Sequence, residues 1–158
     1  MENLTNYTFD EIAVGQTAEY RKQITERDII LFAEVSGDIN PLHLDPAFAA
    51  STDFGERIAH GMLTGALVSA ALALKLPGPG TVYLGQSLRF RRPVKIGDEI
   101  TVQLTVVEKR EDKGFVTLDC TAVNQDGKAV VTGVAEVMAP KQKLSIPRPP
   151  LPAVEVLG

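Results

Sequence analysis

The sequence has few of the residues on which several classes of small protein depend. It contains one cysteine, two histidines and no tryptophan in 158 residues. A single thiol cannot form an internal disulfide, and one cysteine with two histidines cannot complete a four-ligand structural zinc site. Basic residues do not predominate, because 16 Lys and Arg stand against 20 Asp and Glu, a net charge of −4. The composition excludes disulfide scaffolds and zinc modules and argues against general binding of nucleic acid or anionic membranes.

The first seven residues lack the pattern of a secretory signal, because no basic segment is followed there by an apolar one. We therefore expect a cytoplasmic protein. One long apolar stretch, Ile58–Leu76, is present, but His60, Thr64 and Lys75 interrupt it. We predict that it is a helix buried in a single globular domain and not a membrane span.

The second half of the chain has the composition of a β-sheet. Runs enriched in Val, Ile, Thr and Phe alternate with short turn segments, a pattern typical of antiparallel strands. The predicted strands are Leu84–Arg91, Glu99–Glu108, Gly114–Val123 and Ala129–Met138. Because the links between them are short, we predict a meander in which each strand pairs with the next.

The first half is predicted to be mixed. A strand over Thr17–Ile24 is followed by a helix over Glu26–Val35, which Thr25 caps and Gly37 ends. A shorter helix is predicted from Pro46 to Phe54, since proline is favoured at the first helical position.

The apolar helix over Ile58–Leu76 decides the predicted architecture. It is apolar nearly all round, and such a helix must be covered on all sides. A curled antiparallel sheet around one central helix meets that requirement, so we predict an α+β fold. We assign this domain to residues 1–140. Residues 141–158, with four prolines between positions 147 and 152, are predicted to form a tail or linker.

One short segment concentrates groups suited to acid–base chemistry. Asp38, Asn40 and His43 fall within six residues, and Pro41 restricts the backbone between them. A carboxylate and an imidazole are thereby held in a fixed relation, which proton transfer near neutral pH requires. The same residues also fit a plain helix-exit loop in which the Asp38 and Asn40 side chains bind backbone amides.

A second candidate site lies at the start of the apolar helix, at His60 and Gly61. The first amides of a helix have no intrahelical acceptor and can bind an oxyanion, and a glycine allows a ligand close to the backbone. A capping histidine beside a packing glycine is the alternative interpretation.

Several motifs, taken in order, resemble the MaoC-like, (R)-specific enoyl-CoA hydratase family. The matching segments are Phe9-Asp10-Glu11-Ile12-x-Val14-Gly15, Asp38-x-Asn40-Pro41-x-His43, Ala59-His60-Gly61-Met62, Gly85-Gln86-Ser87-Leu88-Arg89-Phe90 and Pro93-Val94-x-x-Gly97-Asp98. The resemblance spans residues 9–140. It favours the functional interpretation of the Asp38–His43 segment, since a series of motifs is more specific than any one of them.

The resemblance implies a hot-dog fold and a homodimer or larger homo-oligomer with active sites between subunits. It also implies reversible syn addition of water to a trans-2-enoyl-CoA, giving an (R)-3-hydroxyacyl-CoA, without a metal or redox cofactor. Asp38 and His43 would activate the water, Asn40 would orient the loop or the water, and the Gly61 amide would polarise the thioester carbonyl. Similar domains precede a phosphate acyltransferase domain in some bacteria, so such an enzyme is a candidate fused or separate partner.

Around this centre we predict acyl-CoA contacts at His60, Met62, Ser69, Leu72, Gln86 and Arg89. Ser69 follows Gly61 by eight residues and lies near the same helix face, although a serine that bonds its own helix fits as well. Leu72 is either the floor of an acyl pocket or a core residue.

A compact basic run supplies candidate ligands for the phosphates of coenzyme A. It consists of Arg89, Arg91, Arg92 and Lys95. Strand alternation predicts Arg89 and Arg91 on one face and Arg92 on the other, so the three would not share one site. A solvated strand end is the alternative.

Two other functions remain open, namely thioester hydrolysis and the binding of acyl-CoA without catalysis. A hydrolase triad of Ser69, His43 and Asp38 is disfavoured, because no Gly-x-Ser-x-Gly motif surrounds Ser69. Cys120 lies in the middle of a predicted strand and is expected to be a core residue and not a nucleophile.

Overall fold

The computed structural model describes residues 2–158. Within them lie a five-stranded antiparallel sheet, a two-stranded sheet and four α-helices. The strands are β1 (Asn3–Thr5), β2 (Thr17–Gln23), β3 (Val82–Phe90), β4 (Glu99–Arg110), β5 (Phe115–Val123), β6 (Ala129–Met138) and β7 (Ser145–Pro147). The helices are α1 (Glu26–Ser36), α2 (Pro41–Leu44), α3 (Pro46–Ala50) and α4 (Gly61–Leu74).

The five-stranded sheet has the order β2-β4-β5-β6-β3, and all neighbouring strands are antiparallel. Strands β4, β5 and β6 form the predicted meander. The predicted pairing of β3 with β4 is wrong, because β3 lies at the sheet edge beside β6, and β2 occupies the place beside β4. The link from β3 to β4 has a different partner: Ile58 pairs with Lys95, and the Ala59 amide donates to the Val94 carbonyl.

One face of the sheet packs against α4, which contacts β2, β4 and β5. Alternate residues of β4 and β5 point inward, as the pleat requires. They are Ile100, Val102, Leu104, Val106, Val116, Leu118, Cys120 and Ala122, and they meet Leu63, Leu67, Val68, Ala71 and Leu72 of the helix. The predicted α+β layout of the hot-dog type, an antiparallel sheet around one long helix, is confirmed. Among residues 2–158, no helix has both the length and the apolar character needed to cross a membrane.

Helix α4 is shorter at both ends than the predicted Ile58–Leu76. Its start is displaced because the residues before His60 are extended and bonded to the β3–β4 link. The prediction that the helix is covered on all sides is also wrong for the single chain. One side of it remains exposed, at Met62, Ala66, Ser69 and Ala73.

Local capping sets the helices that precede α4. The Thr25 side chain accepts a hydrogen bond from the Asp28 amide at the start of α1, and Gly37 ends that helix with φ of 79°. This confirms the predicted first helix to within one residue. The second predicted helix is shorter in the structure, where α3 ends at Ala50 and not at Phe54.

The proline-rich tail begins with a strand. Residues 145–147 form β7, which pairs with β1, and the Asn6 side chain accepts a hydrogen bond from the Leu144 amide. Farther along, Arg27 donates a hydrogen bond of 2.6 Å to the Val154 carbonyl. These bonds hold parts of the tail against the rest of the chain, while the boundary between domain and tail stays a prediction.

Cys120 lies on β5 and is 1% exposed. Burial raises the pKa of its thiol to about 11. The thiolate that a nucleophile requires is therefore scarce near neutral pH. The structure agrees with the predicted core role.

Candidate active site

The loop over residues 37–40 connects α1 to α2 and is shaped by short-range hydrogen bonds. Asp38 Oδ1 accepts from the Asn40 amide, and Asn40 Oδ1 accepts from the Leu42 amide. Asn40 thereby caps α2, a helix that the sequence analysis missed, with Pro41 at its first position. The alternative prediction, a helix-exit loop in which Asp38 and Asn40 bind backbone amides, therefore agrees with the structure. These bonds use only one oxygen of the half-exposed Asp38 carboxylate.

The second oxygen of that carboxylate faces His43. Asp38 Oδ2 lies 3.9 Å from His43 Nε2. The imidazole is buried, and its Nδ1 lies 2.8 Å from the carbonyl oxygen of Ile58. Since a carbonyl only accepts, Nδ1 must carry the proton and donate. Nε2 is therefore the nitrogen available to exchange a proton beside Asp38.

The backbone of His43 is held separately. Arg57 Nε donates a 2.7 Å hydrogen bond to the His43 carbonyl, and Arg57 Nη1 pairs with Glu26 Oε1 at 3.0 Å. The Arg57 side chain is 11% exposed and the Glu26 side chain 62% exposed, so Arg57 connects α1 to α2 through one exposed and one buried end. The sequence analysis missed Arg57, since nothing in its local sequence marks it as a partner of a residue fourteen positions away.

His60 lies directly beneath both residues. Its Nε2 is 2.9 Å from the carbonyl oxygen of Asp38, and its ring stacks on that of His43 with centroids 3.8 Å apart. On another side the ring contacts Phe32, with centroids 5.0 Å apart. His60 Nδ1 is buried and has no hydrogen-bond partner among the described residues.

Gly61 begins α4 immediately after His60. The first amides of the helix have no intrahelical acceptor, so they can bind an oxyanion beside the Asp38–His43 pair. The aromatic ring of Phe90 covers Gly61 closely: a Cβ added at Gly61 would lie 2.7 Å from Phe90 Cε1. A larger residue at this position would require the Phe90 ring, which is 56% exposed, to move aside.

Asp38, His60 and Gly61 meet in a cleft of about 490 Å³, whereas the buried His43 is not among the residues that line it. Its polar lining includes Asp38, His60, Gly61 and Thr64. The remaining lining is mainly apolar, with two arginines: Phe54, Ile58, Ala59, Met62, Phe90, Arg91, Arg92, Pro93, Val94 and Val131. A carboxylate, an imidazole and free helix amides at one end of an apolar cleft can move a proton on a small molecule while stabilising an oxyanion.

The predicted acyl-CoA contacts are divided between this cleft and a second groove of about 520 Å³. His60 and Met62 line the cleft, whereas Ser69 and Gln86 line only the groove, which also includes Met62. Burial raises the pKa of Tyr83 in this groove to about 12, so its hydroxyl stays protonated and donates to Gln86. Because Ser69 lines the groove and Asp38 lines the cleft, the structure does not bring Ser69 together with the Asp38–His43 pair.

Two of the predicted contacts lie elsewhere. Leu72 is 2% exposed and belongs to the core, so its core interpretation agrees with the structure. Arg89 is exposed on β3 and lines neither the cleft nor the groove. Arg91 and Arg92 both line the cleft, contrary to the prediction from strand alternation. The reason is that β3 ends at Phe90, after which the two-residue period no longer applies.

Asp38, His43 and His60 are also potential metal ligands, because one candidate ligand atom from each lies within 4.8 Å of the others. Two of the imidazole nitrogens already bind carbonyl groups. The expected absence of a metal or redox cofactor stays a prediction.

Comparison with known proteins assigns the chain to a family. A family profile described as "MaoC like domain" matches residues 10–126. The chain belongs to the MaoC-like family. Among its MaoC-like relatives is a protein of Aeromonas caviae named "(R)-specific enoyl-CoA hydratase", 48% identical over 82% of this chain and 96% of that protein. A protein of the same name from Rhodospirillum rubrum is 45% identical over 88% and 96% of the two chains.

A solved MaoC-like structure is similar over nearly the whole chain. It is described as R-hydratase PhaJ1 from Pseudomonas aeruginosa in the unliganded form, with 56% identity and a TM-score of 0.94. The match covers 98% of this chain and 99% of that one, so it includes the proline-rich tail. The predicted resemblance to the MaoC-like hydratases is confirmed.

The contact between Gly61 and Phe90 predicts how a minimal change at the helix start acts. Gly61→Ala should lower the free energy of unfolding by about 1 kcal/mol, at the low end of overpacking effects, because the new methyl group overlaps the ring of Phe90, which is 56% exposed. Adding Phe90→Leu should restore most of that loss. Thermal unfolding followed by circular dichroism measures both effects.

Gly85→Ala is the matched control, because no atom lies within 4 Å of a Cβ added there. It should change the free energy of unfolding by about 0.5 kcal/mol or less. Equal destabilisation by Gly61→Ala with and without the Phe90 ring would contradict the proposed overlap.

Proposed function

We propose that this MaoC-like protein catalyses the reversible syn hydration of a trans-2-enoyl-CoA to an (R)-3-hydroxyacyl-CoA. The observation that carries the proposal is the pair of Asp38 Oδ2 and His43 Nε2, 3.9 Å apart beside the start of α4. This separation allows one water to lie at an ordinary distance of about 2.8 Å from both atoms. The names of the relatives from A. caviae and R. rubrum support this reaction over others.

The proposed mechanism uses one face of the substrate. Asp38 removes a proton from the water, whose oxygen forms a bond to the β-carbon as the α,β double bond breaks. His43 begins the cycle with a proton on both ring nitrogens and donates the Nε2 proton to the α-carbon on the same side, which gives the syn product. Transfer of the proton from Asp38 to His43 restores the starting state, so the two groups act as one unit.

The remaining groups act on the thioester and on the loop. The Gly61 amide donates to the thioester oxygen, whose negative charge grows as the enolate forms. Asn40 keeps the orientation of the loop, since its side-chain oxygen caps α2. No acid–base role for Asn40 is needed.

Hydration of crotonyl-CoA tests this proposal. We expect loss of the absorbance of the conjugated thioester, formation of (R)-3-hydroxybutyryl-CoA on chiral analysis and no release of free thiol. Asp38→Asn and His43→Ala should each lower kcat by about 10²–10⁴, and the double variant should be little worse, because the pair acts as a unit.

The same samples distinguish the competing functions. Release of thiol would indicate a thioesterase, and tight binding of crotonyl-CoA without turnover would indicate a binding module. A variant that retains the wild-type kcat would remove its residue from the mechanism.

For the carrier, we propose that Arg91 and Arg92 bind phosphates of coenzyme A. Each guanidinium is fixed by one bond, Arg91 to the Thr132 hydroxyl and Arg92 to the Ala129 carbonyl, and each keeps further N–H groups free. Neither forms an ion pair with an acidic side chain within residues 2–158. Positive charge without a local partner, at the wall of the cleft, suits a polyanionic substrate in a chain of net charge −4.

Truncated substrates test this assignment. The double change Arg91→Ala with Arg92→Ala should raise KM for crotonyl-CoA by roughly tenfold or more, as expected when charge-assisted hydrogen bonds are lost. It should leave KM for crotonyl-pantetheine, which carries no phosphate, unchanged. Arg21→Ala, a change of the same charge on β2 at the opposite edge of the sheet, should have little effect on either substrate. An equal rise in KM for both substrates would contradict a phosphate contact.

We also propose that the chain forms a homodimer through β3. This strand is nine residues long, lies at the edge of the sheet and exposes unpaired backbone groups. Large apolar side chains are exposed on it and next to it: Met62, Val82, Tyr83, Leu84, Phe90 and Val134. A second copy that pairs its own β3 about a two-fold axis would cover both the edge and the exposed side of α4.

Sedimentation or light scattering of a β3 variant tests the dimer. Leu84→Lys should shift the protein to monomer, because it places a charge in the proposed interface, and it should reduce hydration through the loosened strand. Val14→Lys is the matched control, since Val14 is 64% exposed in the loop before β2 and away from this surface. A wild-type monomer, or a Leu84→Lys dimer, would contradict the proposal.

The phosphate acyltransferase partner and the cytoplasmic location stay predictions from the sequence.

A further inference from the structure

We propose that His60 is a positioning residue for proton transfer, which holds the 37–40 loop so that the Asp38 carboxylate faces His43. This inference rests on the proposed hydration reaction and adds a residue to it. The contact of His60 with substrate stays a prediction beside this role, since His60 also lines the cleft.

Few other hydrogen bonds restrain the 37–40 loop. The amide of Asp38 bonds to the Ser36 hydroxyl, and the amide of Asn40 bonds to the Asp38 carboxylate, so both bonds are local. Within residues 2–158, the bond from His60 Nε2 to the Asp38 carbonyl is the one hydrogen bond that joins the loop to a distant part of the chain. The position of the half-exposed Asp38 carboxylate relative to α4 therefore depends on His60.

His43 does not share this dependence. Its Nδ1 is bonded to the Ile58 carbonyl and its own carbonyl to Arg57, so two bonds fix it without His60. The stacked ring of His60, 3.8 Å away, adds only a limit on tilt. Loss of His60 should thus displace the carboxylate more than the imidazole.

The two nitrogens of the His60 ring differ, since one is bonded and the other has no partner among the described residues. Since the Asp38 carbonyl only accepts, Nε2 carries the proton and donates. The bare Nδ1 is then a buried acceptor without a donor, which costs stability. A phenyl ring would fill the same stacked site without that cost. What the imidazole supplies, and a phenyl ring cannot, is the Nε2 donor to the loop.

Two substitutions at His60 separate the effect of its ring from that of its Nε2 donor. His60→Phe keeps a ring between His43 and Phe32 but removes the donor, whereas His60→Gln keeps an amide N–H at a similar reach. We expect His60→Phe to lower kcat for crotonyl-CoA by roughly 10- to 100-fold with KM changed less than about twofold, because misplacement of a catalytic group by about 1 Å has effects of that size. His60→Gln should restore most of kcat. Val116→Ala, in β5 of the core, is the control for a simple loss of stability.

Two further readouts separate positioning from a general structural role. In an Asp38→Asn background, His60→Phe should cause no further loss of kcat, since it acts through Asp38. Backbone hydrogen exchange over residues 37–42 should accelerate in His60→Phe and return toward the wild-type rate in His60→Gln. Exchange in β4 and β5 should stay unchanged.

The outcomes are distinct from those that test the reaction itself. Wild-type hydration with an unaffected kcat in His60→Phe would overturn the positioning role, and so would an equal loss with and without the Asp38 carboxylate. If the wild-type protein does not hydrate crotonyl-CoA, the proposed function fails. The exchange rates in His60→Phe then test only whether His60 holds the 37–40 loop. Unchanged exchange over residues 37–42 would overturn that role.

Discussion

The backbone pairing of the segment before α4 with the β3–β4 link is the constraint on which the candidate site depends. The bridge between Ile58 and Lys95 and the bond from Ala59 to Val94 keep this segment extended, so the helix cannot begin before Gly61. That one restraint supplies three parts of the site. It presents the Ile58 carbonyl that sets the His43 tautomer, the imidazole of His60, and the first free amides of α4. A helix that began at Ile58 would place its carbonyl inside the helix and remove the partner of His43.

The site is built at some cost to stability. His60 occupies the N-cap position of α4 without a side-chain bond to the helix, where Ser, Thr or Asp typically contributes about 1 kcal/mol. Such a cap would bond the amide of Met62 or Leu63. The Leu63 amide donates instead to the His60 carbonyl, and the Gly61 amide, which the proposed mechanism uses, precedes both. Thr25 and Asn40, at the starts of α1 and α2, do use their side chains as caps. The helix start that faces the cleft is thus the one that lacks a side-chain cap among these three.

Local signals in the sequence predicted much of this structure, and non-local pairing set the limits. The Thr25 cap, the Gly37 stop and the strands β4, β5 and β6 follow from residue preferences over a few positions, and each was predicted nearly to its ends. The pairing of β3 with β6 was not predicted, because a short link between two strands does not require them to be neighbours in the sheet. Arg57 could not be found either, since its contacts to Glu26 and His43 join elements that are distant along the chain. Asp38, His43 and Gly61 were named from the sequence only because their motifs match a family as a series.

The edge strand β3 leads directly into the wall of the candidate site. Phe90 covers Gly61 and ends β3, and Arg91 and Arg92 continue directly from it along the cleft. An edge strand has a ladder of hydrogen bonds on one side only, so its end moves more freely than the end of a central strand. In the proposed dimer, pairing of β3 with its copy would supply the missing ladder and fix the ring above the helix start. Assembly would then contribute to catalysis by fixing the wall of the cleft against which the thioester must lie.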